Sequence, residues 1–362
     1  MTQALALATI LRSAGHEVTG VLVGRSSRRD LPAFFVEKIG APVYSFESPN
    51  FVADPANKAI RILPTVMRTV RSARQYRESL SILNTHFNRL RPDLVVNFYE
   101  PLLGLYYHRF RPAVPMVCVG HQYMVHHPAF PFPPGLPVDR FALARFTNLT
   151  AIGASRLLGL SFAPVESLPE KNLAVMPPLL RAELFEQPHD IREPFFLAYI
   201  LNAGYAEDIK RWHRANRNVV LHCFWDNRSA PHVYSSHGNL TFHQLNDQKF
   251  LSMMARCSGL ICTAGFESVC EAMYLGKPVL MVPVEGHYEQ QCNALDAVAA
   301  GAGISSARFD IDRLLAFAPQ YHPVEGFRQW VRSARRRFLD ELEGIAGNSP
   351  APIFEAFEGA IV

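Results

Sequence analysis

The residues between Gly259 and Ala294 carry the clearest chemistry in this sequence. Leu260–Thr263 is a short apolar run that reads as a buried strand, and Glu267–Leu275 reads as the helix that follows it. Between them, the turn Thr263–Gly265 and Phe266 would sit at the carboxyl edge of an open α/β sheet, where such sheets bind ligands. Gly265 lets the backbone come close to a ligand. The helix start offers free N–H groups and a positive dipole end, which suits a diphosphate. Ser268 adds a hydroxyl donor. Glu271, one turn into the helix, can accept hydrogen bonds from a ribose diol, and such charge-assisted bonds contribute about 1.5–3 kcal/mol each. The next strand, Pro278–Pro283, leads to a helix over Glu289–Ala300 that brings Glu289, Gln290 and Asn293 to the same end of the sheet.

This arrangement resembles the donor-binding signature of UDP-glucuronosyltransferases and of the peptidoglycan N-acetylglucosaminyltransferase, both of the two-domain GT-B type. Gly265, Ser268, Glu271, Gly276 and Pro278 fill the positions of that signature. Glu289, Gln290, Asn293 and Ala294 fill its acid-Gln-x-x-Asn-Ala run. The resemblance implies an inverting, metal-independent glycosyltransferase that uses a nucleotide-sugar donor, a UDP-sugar, and needs no cofactor. It implies donor binding by Thr263, Gly265, Phe266, Ser268, Glu271, Glu289, Gln290 and Asn293. In relatives the acid in the Glu271 position binds ribose and the acid–Gln pair binds sugar hydroxyls. Thr263 departs from the plant and animal relatives, which carry His there.

On the other side of the expected cleft, Glu100 follows the strand Leu94–Phe98, and His121-Gln122-Tyr123 follows the strand Met116–Val119. Glycosyl transfer to a hydroxyl needs a base, and losing one costs about 10²–10⁴ in rate. Glu100 and His121 are the candidates in this chain. The peptidoglycan enzyme places an acid and a Gln in the matching loop, against the acceptor. Here His121 stands in the acid's place and Gln122 matches, so Gln122, Tyr123, His126 and His127 are the expected acceptor-binding residues. Relatives open with a strand and a Gly-His loop that supplies the base. This chain opens at the helix start that follows such a loop, so a first strand of the N-terminal domain is expected upstream of Met1, and without it the chain would be short of one base.

Alternating strands and helices position these residues. The expected helices include Thr2–Ala14, Asp30–Ile39 and a long one over Asn57–Leu90, kinked at Pro64. The expected strands include His16–Val23, Pro42–Phe46, Leu149–Gly153 and Leu173–Met176. The pattern then restarts with strands at Phe195–Leu201, Asn218–Phe224 and Asn239–Leu245. Repeated β–α alternation predicts parallel sheets with right-handed crossovers, so the fold class is α/β, with two Rossmann-like doubly wound domains facing a cleft. The expected division is an acceptor-binding domain over 1–177, a Pro-rich linker over 178–194, a donor-binding domain over 195–325 and a C-terminal helical segment over 326–362 that crosses back to the first domain.

The 362 residues are 49% hydrophobic and 19% charged, with a net charge of +4. That argues against disorder and against nucleic acid as a partner. The six cysteines form no C-x-x-C pair and suit buried thiols in a reducing, cytoplasmic setting. No ligand spacing supports a metal, and Asp310-Ile311-Asp312 reads as a helix start that caps free N–H groups. Arg68, Arg71, Arg74 and Arg77 form a basic stripe. Its functional reading is contact with an anionic membrane surface at the inner face, and the acceptor would be a glycan or a lipid-linked molecule. Two other readings stay open: a UDP-N-acetylglucosamine 2-epimerase-like isomerase, which shares this fold, and a non-catalytic sugar-nucleotide binding protein.

Overall fold

A computed structural model of the chain describes residues 1–25, 31–48, 52–53, 60–61, 73–200, 203–227 and 229–347. Strands β1 (Val21–Arg25) and β2 (Val43–Glu47) pair in parallel, and β3 (Val52–Ala53) and β4 (Ile60–Arg61) pair antiparallel. Strands β5 (Val95–Asn97), β6 (Met116–Gly120), β7 (Arg156–Leu160) and β8 (Leu173–Met176) form a four-stranded parallel sheet in that order. The run Met116–Gly120 is buried at every position, as expected for a parallel strand covered on both faces.

A second sheet holds β9 (Phe196–Ile200), β10 (Leu221–Trp225), β11 (Val233–His237), β12 (Leu240–Gln244), β13 (Gly259–Cys262), β14 (Val279–Met281) and β15 (Gly303–Ser305). Its order is β11-β12-β10-β9-β13-β14-β15, and only β11 is antiparallel. The chain therefore leaves β9 toward one edge through β10 and returns to β9's other side with β13. This reversal makes a crevice at the carboxyl ends of β9 and β13, the topological switch point at which open α/β sheets bind ligands.

The segment between the sheets is packed rather than loose. Leu179, Leu180 and Leu184 are buried in one apolar cluster with Leu7 of the first helix (Thr2–Ser13), Leu158 of β7 and Leu251 of the helix Asp247–Arg256. The C-terminal helices Phe327–Arg332 and Ala334–Gly347 return to the first sheet's side. Trp330 Nε1 donates to the Ser161 carbonyl at 3.0 Å, and Arg156 donates twice to the Glu341 carboxylate, at 2.9 and 3.1 Å.

Several expected elements differ. The long helix occupies Ala73–Leu90, and Ile60–Arg61 is a strand because it pairs with Val52–Ala53; the expected kink at Pro64 lies outside the described residues. Leu149–Gly153 is not a strand. Leu149 and Thr150 end the helix Pro137–Thr150, where the Thr150 hydroxyl donates back to the Thr147 carbonyl at 2.7 Å. The neighbouring strand is β7, which begins after Gly153 turns the chain with φ of +80°. The C-terminal helix is broken in two at Ser333, whose hydroxyl donates to the Trp330 carbonyl at 2.6 Å. Asp310 stands at the start of the helix Ile311–Phe317 without a capping hydrogen bond, while Asp312 accepts from Trp212 Nε1 at 3.1 Å.

Candidate active site

Strand β13 ends in the turn Thr263-Ala264-Gly265, and the helix Phe266–Tyr274 starts at once. The turn needs a backbone that L residues rarely adopt: Ala264 has φ of +59° and is fully buried. That left-handed conformation costs about 1–2 kcal/mol. Asn293 Nδ2 donates to the Ala264 carbonyl at 3.2 Å, which ties the turn to the helix Tyr288–Ala299. Ser268 Oγ donates to the Gly265 carbonyl at 3.2 Å. The helix closes with Gly276 at φ of +72°, and Lys277 N donates back to the Ala272 carbonyl at 2.8 Å, so it is capped at its far end.

Glu271 is buried, and the Arg181 guanidinium grips it with a fork, at 2.5 and 2.8 Å. Burial raises the Glu271 carboxyl above the usual range, and Arg181 pulls it back. Asp247 and Glu267 add their negative fields at Arg181, so one guanidinium serves three carboxylates. Arg181 also lines a 450 Å³ cavity that includes Leu5, Ala6, Leu180, Asp247 and Gln248, between the first helix and the helix Asp247–Arg256. Arg181 belongs to no motif in the sequence; it lies in the irregular connection between Pro177 and Pro194.

The expected acceptor loop meets the donor half directly. Gln122 Nε2 donates to Glu289 Oε1 at 3.0 Å. Gln290 Oε1 accepts from Val284 N at 2.8 Å, which leaves its amide nitrogen available, and His287 caps this helix by accepting from Gln290 N at 3.4 Å. Tyr123 is fully buried, with its hydroxyl 2.8 Å from that of Thr150. It braces the loop from behind and does not face the cleft.

His121 is buried between the two halves. Its ring stacks on Phe266 at 4.3 Å between centroids, and Nδ1 donates to the Leu160 carbonyl at 2.7 Å. Nε2 faces Asp296 Oδ2 at 3.5 Å, and neither atom has another hydrogen-bond partner. Burial lowers the His121 pKa to about 4 and raises that of Asp296 to about 7. His121, one of the two candidate bases, is thus enclosed in a ring stack and poorly basic. Glu100 is placed differently. It follows β5 and caps the helix Pro101–Phe110, accepting from Leu102 N at 3.0 Å and from the Ser48 hydroxyl at 2.6 Å through Oε1. Its Oε2 lies against Gly24 at the end of β1, where a Cβ would stand 2.1 Å away. Burial raises its pKa.

His127 is satisfied at both nitrogens: Nε2 donates to the Glu166 carbonyl at 2.9 Å, and Nδ1 accepts from Ala129 N at 3.1 Å. It holds the loop, while His126 lines a second cavity with Arg140 and Lys171. All six cysteines are buried and free. Among the described residues, no group of three or more His, Cys, Asp or Glu is placed to hold a metal ion.

With this geometry in view, residues 5–320 match the family profile described as glycosyl transferase family 1, and the chain belongs to that family. It is a glycosyltransferase with the GT-B fold. A glycosyltransferase of kitacinnamycin superposes with a TM-score of 0.59 at 17% identity, covering 94% of each chain. The calicheamicin glycosyltransferase CalG4 superposes with 0.59 at 16% identity, over 96% of this chain and 95% of that one. MurG of Acinetobacter baumannii gives 0.52 at 15% identity, over 94% and 95%. In sequence, 87 residues are 33% identical to the UDP-N-acetylglucosamine–N-acetylmuramyl-(pentapeptide) pyrophosphoryl-undecaprenol N-acetylglucosamine transferase of Cutibacterium acnes, a match spanning 23% of each protein.

Proposed function

We propose that the chain moves a sugar from a nucleoside diphosphate sugar, a UDP-sugar, to a hydroxyl of a glycan or lipid-linked acceptor, with inversion at the anomeric carbon. The observation that carries this reading is the placement of the Thr263–Gly265 turn and its helix at the switch point between β9 and β13, with Glu271 one turn in. The partial match to a transferase named for UDP-N-acetylglucosamine supports the choice of donor. The diphosphate lies against the free N–H groups of Phe266 and Glu267. The ribose diol donates to Glu271 once Arg181 swings to the diphosphate, and the nucleobase enters the cavity at Asp247 and Gln248. Glu289 and Gln290 hold the sugar.

Reaction is a single displacement. The acceptor oxygen forms its bond to the anomeric carbon as the bond to the diphosphate oxygen breaks, and the acceptor proton passes to a base. Glu100 is the base we assign, since it stands at the end of β5 with its Oε2 toward Gly24, as the sequence resemblance led us to expect on that side of the cleft. His121 is a positioning residue that locks the two halves through Phe266 and Asp296. Charge growing on the leaving diphosphate is met by the helix end and Arg181, so this route needs no metal ion. In this reading residues 1–177 carry the acceptor side, 178–194 link the halves and lend Arg181 to the donor, 195–325 carry the rest of the donor side, and the helices Phe327–Arg332 and Ala334–Gly347 cross back.

A thermal-shift panel of nucleotide sugars tests the reading, since a ligand at about 100 times its dissociation constant adds roughly 2.7 kcal/mol to stability. UDP-sugars should raise the melting temperature, and a panel without any shift would remove the proposal. Incubation with UDP-N-acetylglucosamine alone should leave the sugar unepimerised.

A further inference from the structure

Glu271 is the residue to which the proposed reading gives the ribose, yet in this structure its carboxylate is already taken. Arg181 Nε and Nη2 reach its two oxygens at 2.5 and 2.8 Å. The pair is withdrawn from water, with 3% of the Glu271 side chain and 18% of the Arg181 side chain exposed. A fork of this kind engages both carboxylate oxygens at once. A ribose diol that donates to those oxygens therefore meets the guanidinium there and competes with it.

The backbone around Arg181 is fixed on both sides. Leu179 and Leu180 before it and Leu184 after it are buried in the core. Glu183 is paired with Lys38 of the helix Ala33–Ile39. The Arg181 side chain, by contrast, lines the 450 Å³ cavity and has room to turn into it. Asp247 and Glu267 act on Arg181 through their fields, and the same two acids, with Glu271 and Arg181, act on Tyr199 of β9. Their attraction is already present where Arg181 stands, so it gives no new partner to a guanidinium that leaves Glu271. Taking one partner from a buried ion pair leaves an uncompensated charge, which is strongly unfavourable. Glu267 also belongs to the first turn of the helix Phe266–Tyr274. A diphosphate at that helix start stands beside this carboxylate and needs a cation to offset it.

We infer that Arg181 is a latch on the donor site: it covers Glu271 in the free protein and leaves it only for a ligand that brings a diphosphate together with a ribose. The inference rests on the proposed donor reading and deepens it, because it makes Arg181 a specificity-determining residue as well as a phosphate contact. A nucleoside alone must break the fork and offers the guanidinium nothing in return. It can enter only the small unlatched fraction of the protein, and its apparent affinity is lowered by that fraction. A nucleoside diphosphate instead gives Arg181 one anionic partner in exchange for another while its ribose takes Glu271. The crevice therefore selects nucleoside diphosphates and rejects free nucleosides by a contact that is present before any ligand arrives.

Calorimetric titration of uridine and of UDP into the full chain and into Arg181→Gln tests the latch. Uridine should bind Arg181→Gln about tenfold more tightly than the wild type, and UDP about tenfold more weakly, so the preference for UDP falls about a hundredfold. An arginine that only touched phosphate would leave uridine unaffected. In the wild type, saturating inorganic phosphate should tighten uridine at least about fivefold by drawing Arg181 from Glu271, and uridine should tighten phosphate by the same factor. Arg181→Gln should lose this coupling, and Arg181→Lys, which keeps the charge without the fork, should keep part of it. Cooperative melting checks that both variants fold. Uridine binding Arg181→Gln no better than the wild type, or phosphate without effect on uridine in the wild type, would overturn the latch. UDP failing to bind the wild type would remove the donor reading and the latch with it, whereas UDP binding without these shifts removes the latch alone.

Discussion

Gln122 Nε2 lies 3.0 Å from Glu289 Oε1, so the loop that follows β6 in one half hydrogen-bonds the first turn of the helix that bears the proposed sugar-binding pair, Glu289 and Gln290, in the other. The bond crosses the cleft. It requires the two halves to stand close, and it aims the Glu289 carboxylate.

A double-mutant cycle reads this relationship. Gln122→Ala and Glu289→Ala should each lower kcat/KM, and their effects should be non-additive by about 1 kcal/mol, as for groups in direct contact. Fully additive losses would mean that the two residues act independently in the working enzyme.

The pairing of His121 with Asp296 predicts opposing pH dependences. Burial puts the native pKa of Asp296 at about 7, above that of an unfolded aspartate, so the native state holds the extra proton and stability falls as pH rises from about 4 to 7. His121 has a native pKa of about 4, below its unfolded value, so stability rises with pH from about 4 to 6.5. In the wild type the two slopes largely cancel. His121→Gln should expose the falling slope and Asp296→Asn the rising one, each at most about 1.4 kcal/mol per pH unit. Urea denaturation between pH 4 and 7 measures both, and variants with the same flat profile would show that burial shifts neither group.

The left-handed Ala264 predicts that the donor turn is strained and held by Asn293. Ala264→Gly should stabilise the turn's conformation and be neutral or raise the melting temperature by a few degrees, corresponding to about 1 kcal/mol. Asn293→Ala removes the donor to the Ala264 carbonyl and should raise KM for the sugar nucleotide more than it lowers melting temperature. A KM equal to wild type in Asn293→Ala would show that the turn keeps its shape unaided.

The half assigned to the donor is readable in the sequence because its geometry is local. Strand, turn and helix around Gly265 follow one another in sequence, and apolar runs with a glycine at each end mark their limits. What joins distant segments left no such trace. Arg181 looks like one arginine in a proline-rich connection until it is found gripping Glu271, ninety residues on. Asp296 is an unremarkable position on an amphipathic helix, and its meeting with His121 depends on how two halves pack. Tyr123 shares a loop with Gln122, yet a 3-10 helix over His121–His126 turns it into the core. The run Leu149–Gly153 was ambiguous for another reason: a short apolar stretch has no period of its own, and the helix begun at Pro137 decides it.

The most direct test of the central claim is calorimetric titration of UDP into the wild type and Glu271→Ala, after checking that both melt cooperatively. Removing the ribose acceptor should weaken UDP binding by roughly 10- to 150-fold, equivalent to 1.5–3 kcal/mol. Unchanged affinity for UDP in Glu271→Ala would contradict the assignment of this crevice as the donor site.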